Sequence, residues 1–344
     1  MMKKMFSLIR EAQQRGEDTV LASIVGDSGS APRGPGAHML VGREGRRYGT
    51  VGGGAVEYQS TRLSMEALAA GRSLTHSFRL NTNDVEDIGM ICGGNVTVYF
   101  HYISAQDQGM ADLCAAALQL MQQDSDLWML YEFAPDDSCR MGLYNPDSGL
   151  LGLDLPLEEL KPRLSSAASQ FSLGGRHFYG EPVNLSGRVL VFGGGHVSQE
   201  LVPLLAHLDF RCVVIDDRAE FTRAELFPGV FATVCHDFDD VDSFLHITEN
   251  DYIVVMTRGH AHDYELQLQA LRKDTAYVGV IGSRAKIKIA TDRLLKDGIP
   301  REKIDFVHWP IGLNILAETP AEIAVSVAGE LIEVRARRMG KRGK

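Results

Sequence analysis

The chain has 344 residues, 44% apolar and 23% charged, an ordinary globular composition with room for two cores. Its formal net charge of −10 excludes a body built to grip nucleic-acid backbone, which needs a basic face. The basic stretch from Arg335 to Lys344 reads as a solvated terminus.

Residues 3–15 read as an amphipathic helix, with Met5, Leu8, Ile9 and Ala12 on one face. Residues 19–29 read as a strand running into a turn, and 38–52 as a hairpin joined at Glu44–Gly45. A helix is expected at 55–70, closed by Gly71 as its C-cap. A strand at 96–103 and a helix at 110–123 follow, then short strands and turns around a helical stretch near 157–169.

Beyond residue 186 the pattern becomes regular. Strands are expected at 188–192, 211–215, 230–235, 251–257, 277–281 and 304–308. Helices fit at 196–208, 237–247, 262–273, 284–296 and 320–337, the last opening on a Thr319/Glu322 capping box. Alternation at this spacing implies a parallel sheet covered on both faces. The expected fold is α/β, with an N-terminal α+β domain over 1–185 and a Rossmann-like, mostly parallel domain over 186–344.

Cys92, Cys114, Cys139, Cys212 and Cys235 are widely spaced, without a C-x-x-C pair, and read as thiols in a reducing compartment. With no apolar run of spanning length and no secretory leader, the expectation is a cytoplasmic protein away from membranes.

Two triple glycines raise the question of ligands. Gly193 and Gly195 form G-x-G-x-x-S with Ser198, after a buried strand and at the opening of a helix that begins at His196. Asp216 ends the next strand, where a dinucleotide fingerprint places its ribose-binding acid. The alternative is a strand–helix turn kept for the fold alone. In an open parallel sheet the carboxyl ends converge on one crevice. Arg258, His260, His262, Asp263, Ser283, Arg284, Lys286 and His308 are therefore expected near Gly193, where guanidinium groups suit phosphate. His260, His262 and Asp263 also have the make-up of a metal site, but no complete ligand set is assigned.

Gly52, Gly53 and Gly54 follow a hairpin strand, with no ribose acid behind them, so the dinucleotide reading fails there. They and Glu57 read as one wall of an anion pocket, or as glycines required sterically. The preceding Gly/Ser/Pro-rich loop carries Arg33 and Gly36 and is free to fold over a ligand. Cys92, followed by Gly93 and Gly94, reads either as a thiolate beside backbone N–H groups or as an inert buried thiol. No nucleophile elbow, Walker lysine or Ser–His–Asp order is present, so no catalytic residue is assigned. The pattern suits holding a ligand rather than transforming it.

Together these motifs resemble the XdhC/CoxI family of accessory factors for maturation of xanthine and carbon monoxide dehydrogenases. The resemblance rests on "GSAPRGPGAHMLV", "GTVGGGAVE" and "GMICGGNVTV" in the first half. In the second half it rests on "VFGGGHVS", "IDDR", "TRGHAHD", "GVIGSRAK" and "PIGLNILAETPAEIAVS". His38 stands where a basic residue is expected, and Ser198 replaces a small residue of the glycine turn. The resemblance implies a chaperone for a molybdopterin-type molybdenum cofactor, bare or in a nucleotide form. Such a factor assists sulfuration with a cysteine desulfurase and hands the cofactor to a client molybdenum hydroxylase, without turnover of its own. The implied contacts are Arg33, Gly36, Gly52, Gly53, Gly54, Glu57, Cys92, Gly93 and Gly94, with Gly193, Gly195, His196, Asp216, Arg258, His260, Ser283 and Arg284. A homodimer is expected because such folds commonly pair. The competing readings are an NAD(P)-dependent oxidoreductase using the Rossmann-like domain and a metal-dependent hydrolase at His260, His262 and Asp263.

Overall fold

The computed structural model describes residues 2–29, 33–79, 94–123, 125–258, 260–282 and 284–339, with backbone alone at 260, 261 and 284–286. Two compact units divide the chain, Met1–Leu185 and Ser186–Lys344.

The first unit opens with α1 (Met2–Gln14), β1 (Thr19–Ser28), β2 (His38–Gly42), β3 (Gly45–Gly49), α2 (Gly54–Ala70), β4 (Leu74–Arg79) and β5 (Asn95–Ile103). The strands form an antiparallel sheet in the order β3-β2-β1-β5-β4. After α3 (Gln108–Leu120) come β6 (Leu127–Phe133), β7 (Cys139–Asn145), β8 (Gly149–Leu151), the single turn α4 (Leu157–Leu160), β9 (Ser169–Leu173) and β10 (Arg176–Asn184). These strands make a second sheet, β8-β7-β6-β10-β9. The helix expected near 157–169 stops early because Pro162 lacks an N–H and the chain turns extended by Ser169.

β1 is buried residue after residue from Thr19 to Val25 because both its faces are covered. Leu21 and Val25 join Met5, Phe6 and Ile9 of α1 and Met129, Tyr131 and Tyr179 of the second sheet. Val20, Ala22 and Ile24 lie against Val56 and Ala67 of α2. α2 ends as expected on Gly71, left-handed at φ 61°.

The second unit runs β11 (Val189–Phe192), α5 (His196–His207), β12 (Cys212–Asp216), β13 (Ala232–Cys235), β14 (Tyr252–Val255), α6 (His260–Leu271), β15 (Tyr277–Val280), α7 (Arg284–Lys296), α8 (Arg301–Asp305) and α9 (Pro320–Arg338). Its five strands are parallel, ordered β13-β12-β11-β14-β15, and both faces carry apolar clusters. The mixed α/β class and the parallel Rossmann sheet are as the sequence led one to expect.

Two expected elements differ. The helix at 237–247 reduces to a 3-10 turn at Val241–Ser243, because Gln269 of α6 takes the backbone into side-chain hydrogen bonds. Its Nε2 donates to Phe238 O at 2.7 Å, and its Oε1 accepts from Val241 N at 2.9 Å. The strand at 304–308 is instead α8, started behind Pro300 and braced by an Arg301–Asp305 pair at 2.9 Å. Only His308 pairs with the sheet, by a bridge to Gly279. The Thr319/Glu322 capping box is formed. Among the described residues no helix is long and apolar enough to cross a membrane. Burial pushes the thiols of Cys114, Cys139 and Cys212 up to about 12, so these three are inert at neutral pH.

Buried His101 on β5 yields a test. Burial pulls its pKa from 6.5 to about 4, so the folded chain keeps it neutral. The unfolded chain binds the proton first, so stability is full above pH 6.5 and is lost as pH falls toward 4, by about 3 kcal/mol. Urea midpoints measured between pH 7 and 4.5 are expected to fall, and His101→Gln to flatten that slope.

Candidate functional site

In the second unit, strand order reverses between β11 and β14, and the crevice beyond their carboxyl ends is where ligands of such sheets bind. Gly193 turns there at φ 107°, and a Cβ on it would overlap the Met256 carbonyl. A Cβ on Gly194 would overlap the Phe221 carbonyl. Both glycines are thus demanded by close backbone approach. Gly195 differs: it caps α5, and nothing lies within 4 Å of where its Cβ would stand. The Ser198 hydroxyl donates back to the Gly193 carbonyl, so the serine in the third-glycine position braces the turn.

Asp216 is buried, and both its oxygens are engaged. Gly194 N donates to Oδ2 at 2.8 Å, while Arg218 donates through Nε at 2.9 Å and Nη2 at 3.0 Å. Burial acts to raise its pKa, but the Arg218 guanidinium and the N–H groups of Gly194 and Arg218 outweigh it and hold the carboxyl below its ordinary value. The Arg218 guanidinium lies 3.7 Å over the Phe221 ring. Arg258, 57% exposed by its side chain, reaches Asp217 at 3.0 Å. The acid expected for a ribose hydroxyl is thus tied into the turn, leaving Gly195, His196 and Arg258 toward solvent.

Asp263 accepts from Thr257 Oγ1 at 2.6 Å and closes the turn from β14 into α6. His262 sits edge-on to Phe238 at 5.5 Å, and among the described residues no three His, Cys, Asp or Glu gather to hold a metal. His260 and Arg284 begin α6 and α7; their side chains, that of Lys286, and Ser283 lie outside the described residues. His308 joins a different group: its Nδ1 lies 2.9 Å from Glu330 Oε1, and Tyr277 donates to Oε2 at 2.5 Å.

In the first unit, Gly52, Gly53 and Gly54 all have positive φ, at 130°, 74° and 54°. Only glycine adopts this run without strain. Glu57, in the first turn of α2, receives Arg46 Nη1 at 2.5 Å and the Thr50 hydroxyl. A carboxylate therefore already complements the helix N-terminus. Arg33 is exposed; Cys92 and Gly93 lie outside the described residues, and Gly94 directly precedes β5.

A buried polar group that the sequence did not reveal lies between the two sheets. His38 Nε2 stands 2.7 Å from Glu181 Oε1, at ion-pair distance without hydrogen-bond alignment, and its Nδ1 is 2.9 Å from Ser23 Oγ. Tyr179 donates to Glu181 Oε2 at 2.8 Å. Burial, reinforced by that carboxylate, holds the Tyr179 phenol well above its usual pKa. A Cβ on Gly36 would stand 3.2 Å from the same oxygen, so the glycine loop lies directly on the cluster. Beside it opens a cavity of about 650 Å³, lined by Asp27 and Ser28 of β1, Arg79 of β4, Asn95 of β5, Pro35 of the loop and Gln170 of β9.

Two family models match the chain: the XdhC Rossmann domain over residues 189–331, and the XdhC and CoxI family over residues 12–79. Together they span more than half of it. The chain belongs to the XdhC and CoxI family.

Three relatives extend the XdhC likeness along nearly the full length. Escherichia coli YqeB is 25% identical over 92% of this chain, which spans only 43% of YqeB. A Bacillus subtilis protein, described as a probable subunit of xanthine dehydrogenase, is 27% identical over 93% of this chain and 94% of its own. The E. coli molybdenum cofactor insertion chaperone PaoD is 24% identical over 94% of this chain and 86% of its own. A solved Bacillus halodurans protein described as a xanthine dehydrogenase shares the fold, with a TM-score of 0.77 and 22% identity over 97% of this chain and 96% of that one.

The XdhC glycine turn separates by substitution. Gly193→Ala is expected to destabilise the second unit by on the order of 3 kcal/mol, combining positive-φ strain with backbone overlap. Gly195→Ala is expected to leave the melting temperature unchanged. Thermal denaturation followed by circular dichroism checks both.

Proposed function

We propose that this chain is a maturation factor that holds a molybdopterin-type molybdenum cofactor and delivers it to a xanthine-dehydrogenase-type molybdenum hydroxylase in the cytoplasm. The observation that carries the reading is the similarity to PaoD, a molybdenum cofactor insertion chaperone, over 94% of this chain. The geometry supports a holder: Asp216, Asp263, Glu330 and Glu181 are each committed to internal donors. The residues present also fit the cofactor's chemistry. A glycine loop lies against a polar cavity holding a carboxylate and a guanidinium, and the open N-cap Gly195 with exposed Arg258 suits a phosphate or nucleotide. Sulfuration with a cysteine desulfurase, with Cys92 and Arg33 as cofactor contacts, and a homodimeric state belong to the same proposal.

Released cofactor mixed with the full chain is expected to co-elute in gel filtration and to restore activity to a cofactor-free client hydroxylase. Retention of no molybdopterin species sinks the reading. Titration with NADH and NADPH is expected to show no binding at millimolar cofactor; tight binding followed by hydride transfer to a substrate favours an oxidoreductase instead.

A further inference from the structure

We infer that the cavity in the first unit is a pterin-phosphate site, with Asp27 reading the ring edge and Arg79 receiving the phosphate. The inference rests on the molybdenum-cofactor reading above and adds to it where, and in which orientation, the heterocycle is held.

The cavity arises from a change in the layer between the two sheets. Tyr99 and Ile103 of β5 belong to the apolar core there, but at the other end of the strand Asn95 and Thr97 line the cavity. Register sets Arg79 and Ser28 on either side of Asn95, and Ser77 beside Thr97. Their short polar side chains are joined crosswise: Ser77 Oγ lies 3.0 Å from Thr97 Oγ1, and Asn95 donates to Ser28 Oγ at 3.3 Å. On the opposite wall Gln170 is fixed by donating to the Val25 carbonyl at 2.9 Å. At about 650 Å³ the space lies within the range of small-molecule sites.

Two charged residues stand in this otherwise neutral lining, Asp27 and Arg79. Among the described residues neither has an ion-pair partner, whereas the acids Glu17, Glu57 and Glu132 of the same unit each have an arginine. Gly34 of the loop leaves room beside Asp27: the Asp27 Oδ2 stands 3.1 Å from where a Cβ on Gly34 would lie, so a larger residue there would press on the carboxylate. A 2-amino-4-oxopyrimidine ring presents two adjacent N–H donors on one edge, which a carboxylate accepts side by side, and a phosphate is the natural partner of a guanidinium. Val25, Pro35 and Ala168 supply apolar surface for the ring face. That ring edge is shared by pterins and guanine nucleotides, so the test carries both.

The probes are the fluorescent pterin phosphate obtained by oxidising released molybdenum cofactor, the same compound after phosphatase treatment, and guanosine monophosphate. Each is titrated into the full chain and followed by fluorescence or calorimetry. The wild-type chain is expected to bind the phosphorylated pterin more tightly than the dephosphorylated one, and both more tightly than the guanine nucleotide. Arg79→Ala is expected to lose about tenfold in affinity for the phosphorylated probe alone, and Asp27→Asn about tenfold for both pterins. Unchanged melting temperatures show that both variants are folded, as their exposed positions predict. Wild-type affinity in both variants, binding of the guanine nucleotide in preference to the pterin, or no pterin binding by a wild-type chain that still retains intact cofactor overturns the site. Failure of the wild-type chain to retain intact cofactor overturns the functional reading itself.

Discussion

A carboxylate taken out of water costs several kcal/mol unless fixed donors meet it. Five acids are buried among the described residues, and each fastens a loop or helix to a sheet. Glu181 ties β10 to His38 of β2 and supports the glycine loop. Asp216 clamps the Rossmann turn through Gly194 and Arg218. Asp251 gathers Arg188 and the Thr248 N–H ahead of β14, Asp263 closes the turn into α6, and Glu330 draws His308, Tyr277 and Gly312 together beneath α9. Because these groups are committed, the contacts proposed for a ligand fall on other charges: Arg258, paired on the surface with Asp217, in the second unit, and Asp27 and Arg79 in the first.

The parallel sheet was legible because its strands are short apolar runs set at regular intervals between helices. Asp216 was also found, by its spacing from the glycine turn, but not its engagement by Arg218, since a sequence places the acid without saying what answers it. The misread segments are ones in which tertiary partners override local pattern. Phe238 and Val241 suggest a helix face, yet Gln269, 31 and 28 residues away, takes up their backbone groups. In 304–308, alternating Ile304, Phe306 and His308 imitate a strand, while the Arg301–Asp305 pair and Pro300 favour one helical turn. The first unit's candidate site was legible only in its loops. Glu181 and Arg79 lie far from the glycine motifs, and no periodicity links them.

The two triple glycines share composition and differ in cause. At 52–54 three successive positive φ angles require glycine for conformation, and Glu57 already complements the helix beyond. At 193–195 the first two glycines are needed because neighbouring carbonyls approach them, and the third is the one left open. Open space in the second turn is therefore confined to Gly195, where the helix begins, and does not extend to the motif as a whole.

The single bridge from His308 to Gly279 has a consequence beyond its place beside Glu330. β15 closes one side of the parallel sheet, and its outward groups would otherwise invite another chain to add a strand. Here His308 N takes the Val278 carbonyl at 2.9 Å, the Val280 N–H is taken by the His308 carbonyl at 3.1 Å, and Ile311 N takes the Val280 carbonyl at 3.0 Å. A few residues of irregular backbone thus do the work of a sixth strand. They engage the Val278 carbonyl and both backbone groups of Val280 internally, and so blunt this margin as a template for intermolecular β-pairing.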